Sequence, residues 1–157
     1  MNKHKIKAKV NGKSVSFVVD SNERLIDMLR NRMGLTGTKE GCGKGDCGSC
    51  VVIVDGKTVN SCLMLAAQAD GKAIVTIEGL GTPEMMHPLQ KAFVDKGAVQ
   101  CGYCIPGMIV TAKNLLDRNP DPTRQEIREA ISGNLCRCTG YIKIIDAIQA
   151  AAAEMRR

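Results

Sequence analysis

Eight cysteines carry the chemistry that can be read from this 157-residue sequence, and they fall into two sets of four, one in each half. The first set is Cys42, Cys47, Cys50 and Cys62; the second is Cys101, Cys104, Cys136 and Cys138. Thiolates are soft ligands for zinc and for iron in sulfur clusters, and paired thiols also form disulfides or redox couples. The N-terminal Met1-Asn2-Lys3-His4-Lys5-Ile6 has no apolar run of an export signal. A cytoplasmic location is therefore expected, and in a reducing compartment grouped cysteines point to metal or redox chemistry before disulfides.

The first set opens as C-x4-C-x2-C with a fourth cysteine further on, the spacing of a plant-type [2Fe–2S] site. A centre held by four thiolates carries negative charge, so the enclosing backbone must turn N–H groups toward sulfur. That needs tight, partly left-handed backbone, which glycine adopts without steric penalty. Gly41, Gly43, Gly45 and Gly48 surround the first three cysteines as this requires. The fourth cysteine follows twelve positions after the third, nearer than in free ferredoxins. Gly43-x-Gly45-x-x-Gly48 also matches the dinucleotide-binding fingerprint formally. That fingerprint needs a strand before it and a helix after it, whereas Val51 to Val54 here reads as a strand.

The second set is C-x2-C followed by C-x-C. Its first pair lies just before a helix start and its second between two helices, so two loops can each present two thiolates to a flat two-iron core. By itself this set is less specific than the first. Structural zinc suits neither C-x4-C-x2-C nor the tight C-x-C pair. Cys101-Gly102-Tyr103-Cys104 could be a thioredoxin-like redox pair, but it lacks the preceding βαβ pattern. Two [2Fe–2S] clusters leave no cysteine without a role.

These loops need elements to hold them. Ile6 to Val10 alternates, Asn11-Gly12 is a hairpin turn, and Ser14 to Val19 alternates again. Ser21 can cap a short helix with Leu25, Met28 and Leu29 on one face, ending near Gly34. Val51 to Val54, Asp55-Gly56 and Thr58 to Ser61 predict a second hairpin. A helical turn over Leu63 to Ala67 and a strand over Ile74 to Ile77 follow. Gly81, Pro83 and Pro88 break the pattern, and beyond them the signal is helical. Leu89 to Lys96, a helix from Pro106 to Arg118, one capped by Thr123 and Glu126, and one from Ile142 are expected. The last carries Ile145, Ile148, Ala152 and Met155 on one stripe. With aromatics at only 3%, both cores must be aliphatic, and two small cores gain from a metal centre.

At this point the residues are recognisable. Glu40-Gly41-Cys42-Gly43-x-Gly45-x-Cys47-Gly48-x-Cys50 resembles the ferredoxin-like site of the xanthine oxidase family of molybdenum hydroxylases. Val99-Gln100-Cys101-Gly102-Tyr103-Cys104-Ile105-Pro106-Gly107-Met108 and Gly133-Asn134-Leu135-Cys136-Arg137-Cys138-Thr139-Gly140-Tyr141 resemble the two signatures of its helical [2Fe–2S] domain. Ile105 departs from the usual Thr, at a position that is not a ligand. The resemblance spans nearly the whole chain and is nearest to the separate small subunits of bacterial members. It implies an α+β fold: a β-grasp ferredoxin-like domain over 1–79, a linker over 80–88, and a four-helix [2Fe–2S]-binding domain over 89–157. Cys42, Cys47, Cys50 and Cys62 would hold an outer cluster, and Cys101, Cys104, Cys136 and Cys138 an inner one. Electrons would pass singly from a molybdopterin cofactor on a large subunit, through both clusters, to FAD on a medium subunit. Gln100 and Cys138 would lie beside the pterin.

The remaining polar residues offer no catalytic constellation. His4 reads as part of a loose terminus and His87 as a linker residue, both on the surface. Gln100 has an ordinary alternative as a polar loop residue. Arg137 would either orient hydrogen bonds near the cluster or form an ion pair that holds the loop. Met108 reads as core or interface, and Lys143 as solvated charge. A net charge of +6 raises the possibility of nucleic acid, but the basic residues are dispersed without an aromatic platform. A docking face for a partner protein is the better expectation. No segment approaches the length of a membrane span.

Overall fold

The computed structural model describes residues 2–157. Its first half is built on a mixed five-stranded sheet. Strand β1 (Lys3–Val10) and β2 (Lys13–Asp20) form the first hairpin, in which Lys3 pairs with Asp20 and Val10 with Lys13. Along β1, Lys3, Lys5, Lys7 and Lys9 face solvent while Ile6, Ala8 and Val10 are buried, as a period of two dictates. Strands β3 (Val51–Val54) and β4 (Lys57–Asn60) form the second hairpin. Strand β5 (Ala73–Val75) lies between the hairpins, parallel to β1 and antiparallel to β3, and the sheet order is β2-β1-β5-β3-β4.

Helix α1 (Leu25–Asp27) runs directly into a π-helical turn over Met28–Arg32 and lays Leu25, Met28 and Leu29 on the sheet. The sequence suggested Ser21 as its cap, and this is corrected. The N-cap is Arg24, which makes no side-chain capping bond, and the Ser21 hydroxyl donates to the Asn2 carbonyl at 2.8 Å. His4 belongs to β1 and not to a loose end; its Nε2 lies 2.9 Å from Ser21 Oγ. The helical turn expected over Leu63 to Ala67 is a 3-10 turn at Ala66–Ala69, and a second 3-10 turn at Ile77–Gly79 follows β5.

The second half is helical: α2 (Pro88–Asp95), α3 (Ile105–Arg118), α4 (Arg124–Ala130) and α5 (Ile142–Met155). Their core is aliphatic around one Phe93, with Leu89, Met108, Ile127, Ile144 and Ile148 fully enclosed. Met155, expected on the buried stripe of α5, is exposed at the last helical position. Thr123 and Glu126 form the expected capping box, with the Thr123 N–H donating to Glu126 Oε2 at 2.7 Å. No helix among the described residues is long and apolar enough to cross a membrane.

Strand β3 joins the halves. All four of its residues are buried, with Val52 and Val54 in the sheet core and Val51 and Ile53 against Val110 of α3. A strand covered on both faces reads as an unbroken apolar run. Asn114 of α3 adds a hydrogen bond to the Gly56 carbonyl at 2.7 Å.

His87 caps α2: its Nδ1 accepts from the Leu89 N–H at 3.2 Å. Burial, aided by the nearby Lys113 ammonium, holds this imidazole below its ordinary value of 6.5. The neutral ring is thus the form that the fold favours. It contributes stability above the ordinary value, and that contribution is lost as pH falls through the depressed one. Asparagine caps a helix without titrating in this range. Between pH 7 and pH 5 the native chain is expected to lose more stability than His87→Asn, measured by urea unfolding at each pH. Parallel pH profiles would refute the role.

Candidate metal centres

The first cysteine set is assembled by the loop that enters β3 and by the turn that leaves β4. Gly43, Gly45 and Gly48 have φ of +66°, +88° and +69°. This left-handed backbone points successive amides inward, and the N–H groups of Lys44 and Asp46 donate to Cys42 Sγ at 3.4 and 3.3 Å. The N–H groups of Lys44 and then Cys47 hold the Cys42 thiol down at about 6, against an ordinary 9.0. A Cβ on Gly41 would stand 2.8 Å from Cys47 Sγ, so a bare backbone there is what makes room for that sulfur.

Cys50 and Cys62 face each other with their sulfurs 3.3 Å apart, both buried. The hairpin delivers them: Ser61 is fully enclosed and its hydroxyl donates to the Cys50 carbonyl at 2.7 Å, while Asn60 Nδ2 donates to the Gly45 carbonyl at 3.1 Å. Burial pushes the Cys50 thiol up to about 12, with a further push from its Cys62 neighbour. A metal cation removes that penalty, because it displaces the protons and balances the thiolates.

The second set brings two loops together. Cys104 is buried at the N-cap of α3, and Cys136 lies in the loop between α4 and α5. Burial, then the adjacent Cys136, pushes Cys104 up to about 12. Cys136 is also raised by burial, but hydrogen bonding from Thr139 outweighs this and leaves it below its ordinary value; Thr139 Oγ1 is 3.0 Å from its sulfur. The Cys138 thiol is raised, chiefly by its contact with Cys101, and both of these cysteines are exposed. Tyr141, at φ +70°, accepts the Cys136 N–H on its hydroxyl at 2.8 Å and shapes the same loop.

No disulfide joins any of the eight cysteines, and the contacts among them stay within each half. Among the described residues no three Cys, His, Asp or Glu side chains converge as a single ion requires. The sulfurs are grouped in twos. Metal–sulfur bonds of about 2.3 Å in tetrahedral geometry place two thiolates on one metal roughly 3.7 Å apart, close to the Cys50–Cys62 spacing. Two thiolates on each of two metals is the donor arrangement of a [2Fe–2S] cluster, and both sets suit it.

Sequence reasoning missed how the two centres meet. The Leu135 N–H donates to the Cys47 carbonyl at 2.9 Å, and buried Asn134 donates through Nδ2 to the Gly48 carbonyl at 3.0 Å. A side chain on Gly48 would strike the Gly133 carbonyl, and one on Gly107 would strike the Gly48 carbonyl. These glycines serve a close backbone approach as well as a cluster loop. Gln100 is exposed beside Cys101. Arg137 enters no salt bridge among the described residues, so the loop-holding ion pair is not observed.

Residues 8–76 match the family described as the 2Fe-2S iron-sulfur cluster binding domain, and residues 76–149 match the [2Fe-2S] binding domain. The nicotinate dehydrogenase small FeS subunit of Eubacterium barkeri is 56% identical over 151 residues, covering 96% of each chain. The aldehyde oxidoreductase of Megalodesulfovibrio gigas is 52% identical over 92% of this chain, which spans only 16% of that longer protein. The crystal structure of quinoline 2-oxidoreductase from Pseudomonas putida 86 contains a chain that superposes with a TM-score of 0.94 at 50% identity. That match covers 99% of this chain and 97% of the other.

Gly41→Ala places a methyl group against Cys47 Sγ and is expected to cost the chain about half its iron while the helical half stays loaded. Iron and acid-labile sulfide analysis of the purified variant checks this. Full retention of iron would show that Cys47 is not held as described.

Proposed function

Because this chain belongs to the small iron–sulfur subunits of the xanthine oxidase family of molybdenum hydroxylases, we propose that its cysteines form a two-step electron relay. The chain is the electron-transfer subunit of an oxidoreductase. Cys42, Cys47, Cys50 and Cys62 hold the outer cluster, and Cys101, Cys104, Cys136 and Cys138 hold the inner one. A [2Fe–2S] cluster at each site supplies one-electron storage. The cofactors beyond them, a molybdopterin centre and FAD, belong to a large and a medium partner subunit in the cytoplasm. Electrons enter through the helical half and leave through the ferredoxin-like half. The division is a β-grasp domain over 1–79, a linker over 80–88 and a four-helix domain over 89–157.

The observation that carries this reading is the hydrogen bond from the Leu135 N–H to the Cys47 carbonyl. It joins a residue adjacent to one inner ligand, Cys136, directly to an outer ligand, so a single hydrogen bond and a few covalent bonds separate the two sets. Exposure supports the direction. Cys101 and Cys138 are open to solvent on the helical side, with exposed Val99, Leu135 and Ile142 nearby in sequence. An apolar rim around exposed ligands suits a partner that covers them. Gln100, exposed and next to Cys101, which Cys138 contacts, has an amide that can meet the polar edge of a pterin.

Cys47→Ser in the assembled complex is expected to remove the outer-cluster signal and slow flavin reduction at least about tenfold, while molybdenum is still reduced. Cys138→Ser is expected to remove the inner signal and alter the molybdenum spectrum. Rapid-freeze paramagnetic resonance reads both. Normal flavin reduction in the first variant, or unchanged inner and molybdenum signals in the second, contradicts the assignments. Zinc in place of iron would end them.

A further inference from the structure

Three side chains outside the cysteine sets connect α1 to both cluster loops. Arg24 Nη1 and Nη2 donate to the two carboxylate oxygens of Glu40 at 2.6 and 3.0 Å. The same guanidinium donates through Nε and Nη2 to Asp27 at 2.8 and 3.0 Å. One cation thus holds two carboxylates in paired hydrogen bonds, the strong geometry for arginine. Glu40 precedes Cys42 by two positions, and its Oε1 lies 2.9 Å from where a Cβ on Gly43 would stand, so the carboxylate folds over the first cysteine loop. The Glu40 main-chain carbonyl accepts from Tyr103 Oη at 2.5 Å, and Tyr103 sits between Cys101 and Cys104.

We infer that Arg24 and Glu40 are positioning residues of the first centre, and that Tyr103 ties the backbone they hold to the second. The inference rests on Cys42, Cys47, Cys50 and Cys62 being the ligands. Arg24 fixes the Glu40-Gly41-Cys42 segment and offsets the charge of a carboxylate that lies over the first cysteine loop. With two ferric ions, two sulfides and four thiolates the oxidised centre would carry two negative charges, and one-electron reduction would add a third, so an unpaired carboxylate beside it favours the oxidised state. Arg24 and Glu40 side chains are each about a third exposed, 34% and 37%, and solvent screening keeps the effect moderate.

Redox titration of the assembled complex, followed by paramagnetic resonance, reads the two centres separately. Arg24→Gln is expected to lower the reduced-to-oxidised ratio of the first centre about threefold at fixed potential. That is roughly 30 mV for a one-electron couple at 59 mV per tenfold. The second centre moves much less. Arg24→Lys keeps the charge and leaves most of the potential unshifted. Adding Glu40→Gln to Arg24→Gln restores the local net charge by removing the carboxylate nearer the loop, with Asp27 left in place, and so reverses most of the shift. If Arg24→Gln fails to load iron, Glu40→Gln alone decides, because it must shift the first centre in the opposite direction. Unmoved potentials in a loaded Arg24→Gln complex, equal shifts at both centres, or a double variant that does not revert would overturn the inference. Absence of any first-centre signal from the unsubstituted complex would instead sink the ligand assignment.

Discussion

The close approach of two backbone segments, Cys47-Gly48 and Gly133-Asn134-Leu135, is the constraint on which the rest of the molecule depends. Two carbonyls on one side accept one amide and one side-chain N–H on the other. The contact exists only because Gly48 and Gly107 lack side chains where the chains pass. Burying polar backbone at such a junction is tolerable because both carbonyls find donors; left unpaired, each would cost about 1–3 kcal/mol. Strand β3 and helix α3 hold the junction closed by packing Val51 and Ile53 on Val110. The two halves are therefore held by apolar burial at the sheet and by hydrogen bonds at the loops.

Electrostatics explains why the cysteine loops have the form they do. Buried thiols in contact resist ionising, as the upward push on Cys50, 3.3 Å from Cys62, and on Cys104 records. Opposing this, inward N–H groups at Cys42 and the Thr139 contact at Cys136 favour the thiolate. Each set thus contains one sulfur prepared for charge, Cys42 or Cys136, beside at least one that gains from a cation before it bears charge; in the second set both Cys104 and Cys138 are raised. The two sets reach this balance by different means. The first uses left-handed glycines in a loop; the second uses a hydroxyl and a tyrosine that folds the loop back on itself. That difference follows from their frames, a sheet edge in one case and helix ends in the other.

Much of this was legible in the sequence. The Asn11-Gly12 and Asp55-Gly56 turns set both hairpins, because each needs positive φ at two successive residues, which these pairs supply. Alternation over Ile6 to Val10 placed the C-terminal part of β1, and the Thr123–Glu126 pair placed the start of α4. Less legible were the ends and caps that depend on distant partners. Ser21 is a good cap by type, yet its hydroxyl serves the Asn2 carbonyl across the hairpin. His4 appeared to be terminal, yet β2 holds its strand. Arg24, Glu40 and Asn60 carried no spacing signal, since what makes them matter is 16, 16 and 15 positions away: Glu40, Arg24 and Gly45.

By itself the sequence determined the grouping of cysteines into two sets, the chemistry those spacings suit, and the resemblance that assigns the chain to its family. Ligand spacing and glycine placement are local, so the backbone alone expresses them. Only the tertiary structure decided that the sets lie against each other, that Cys47 and Leu135 share a hydrogen bond, and that Arg24 braces Glu40 beside the first loop. Those relations join residues far apart in the chain. They are fixed when β3 is buried on both faces, and no local pattern of residue types encodes which carbonyl will meet which amide once that burial is complete.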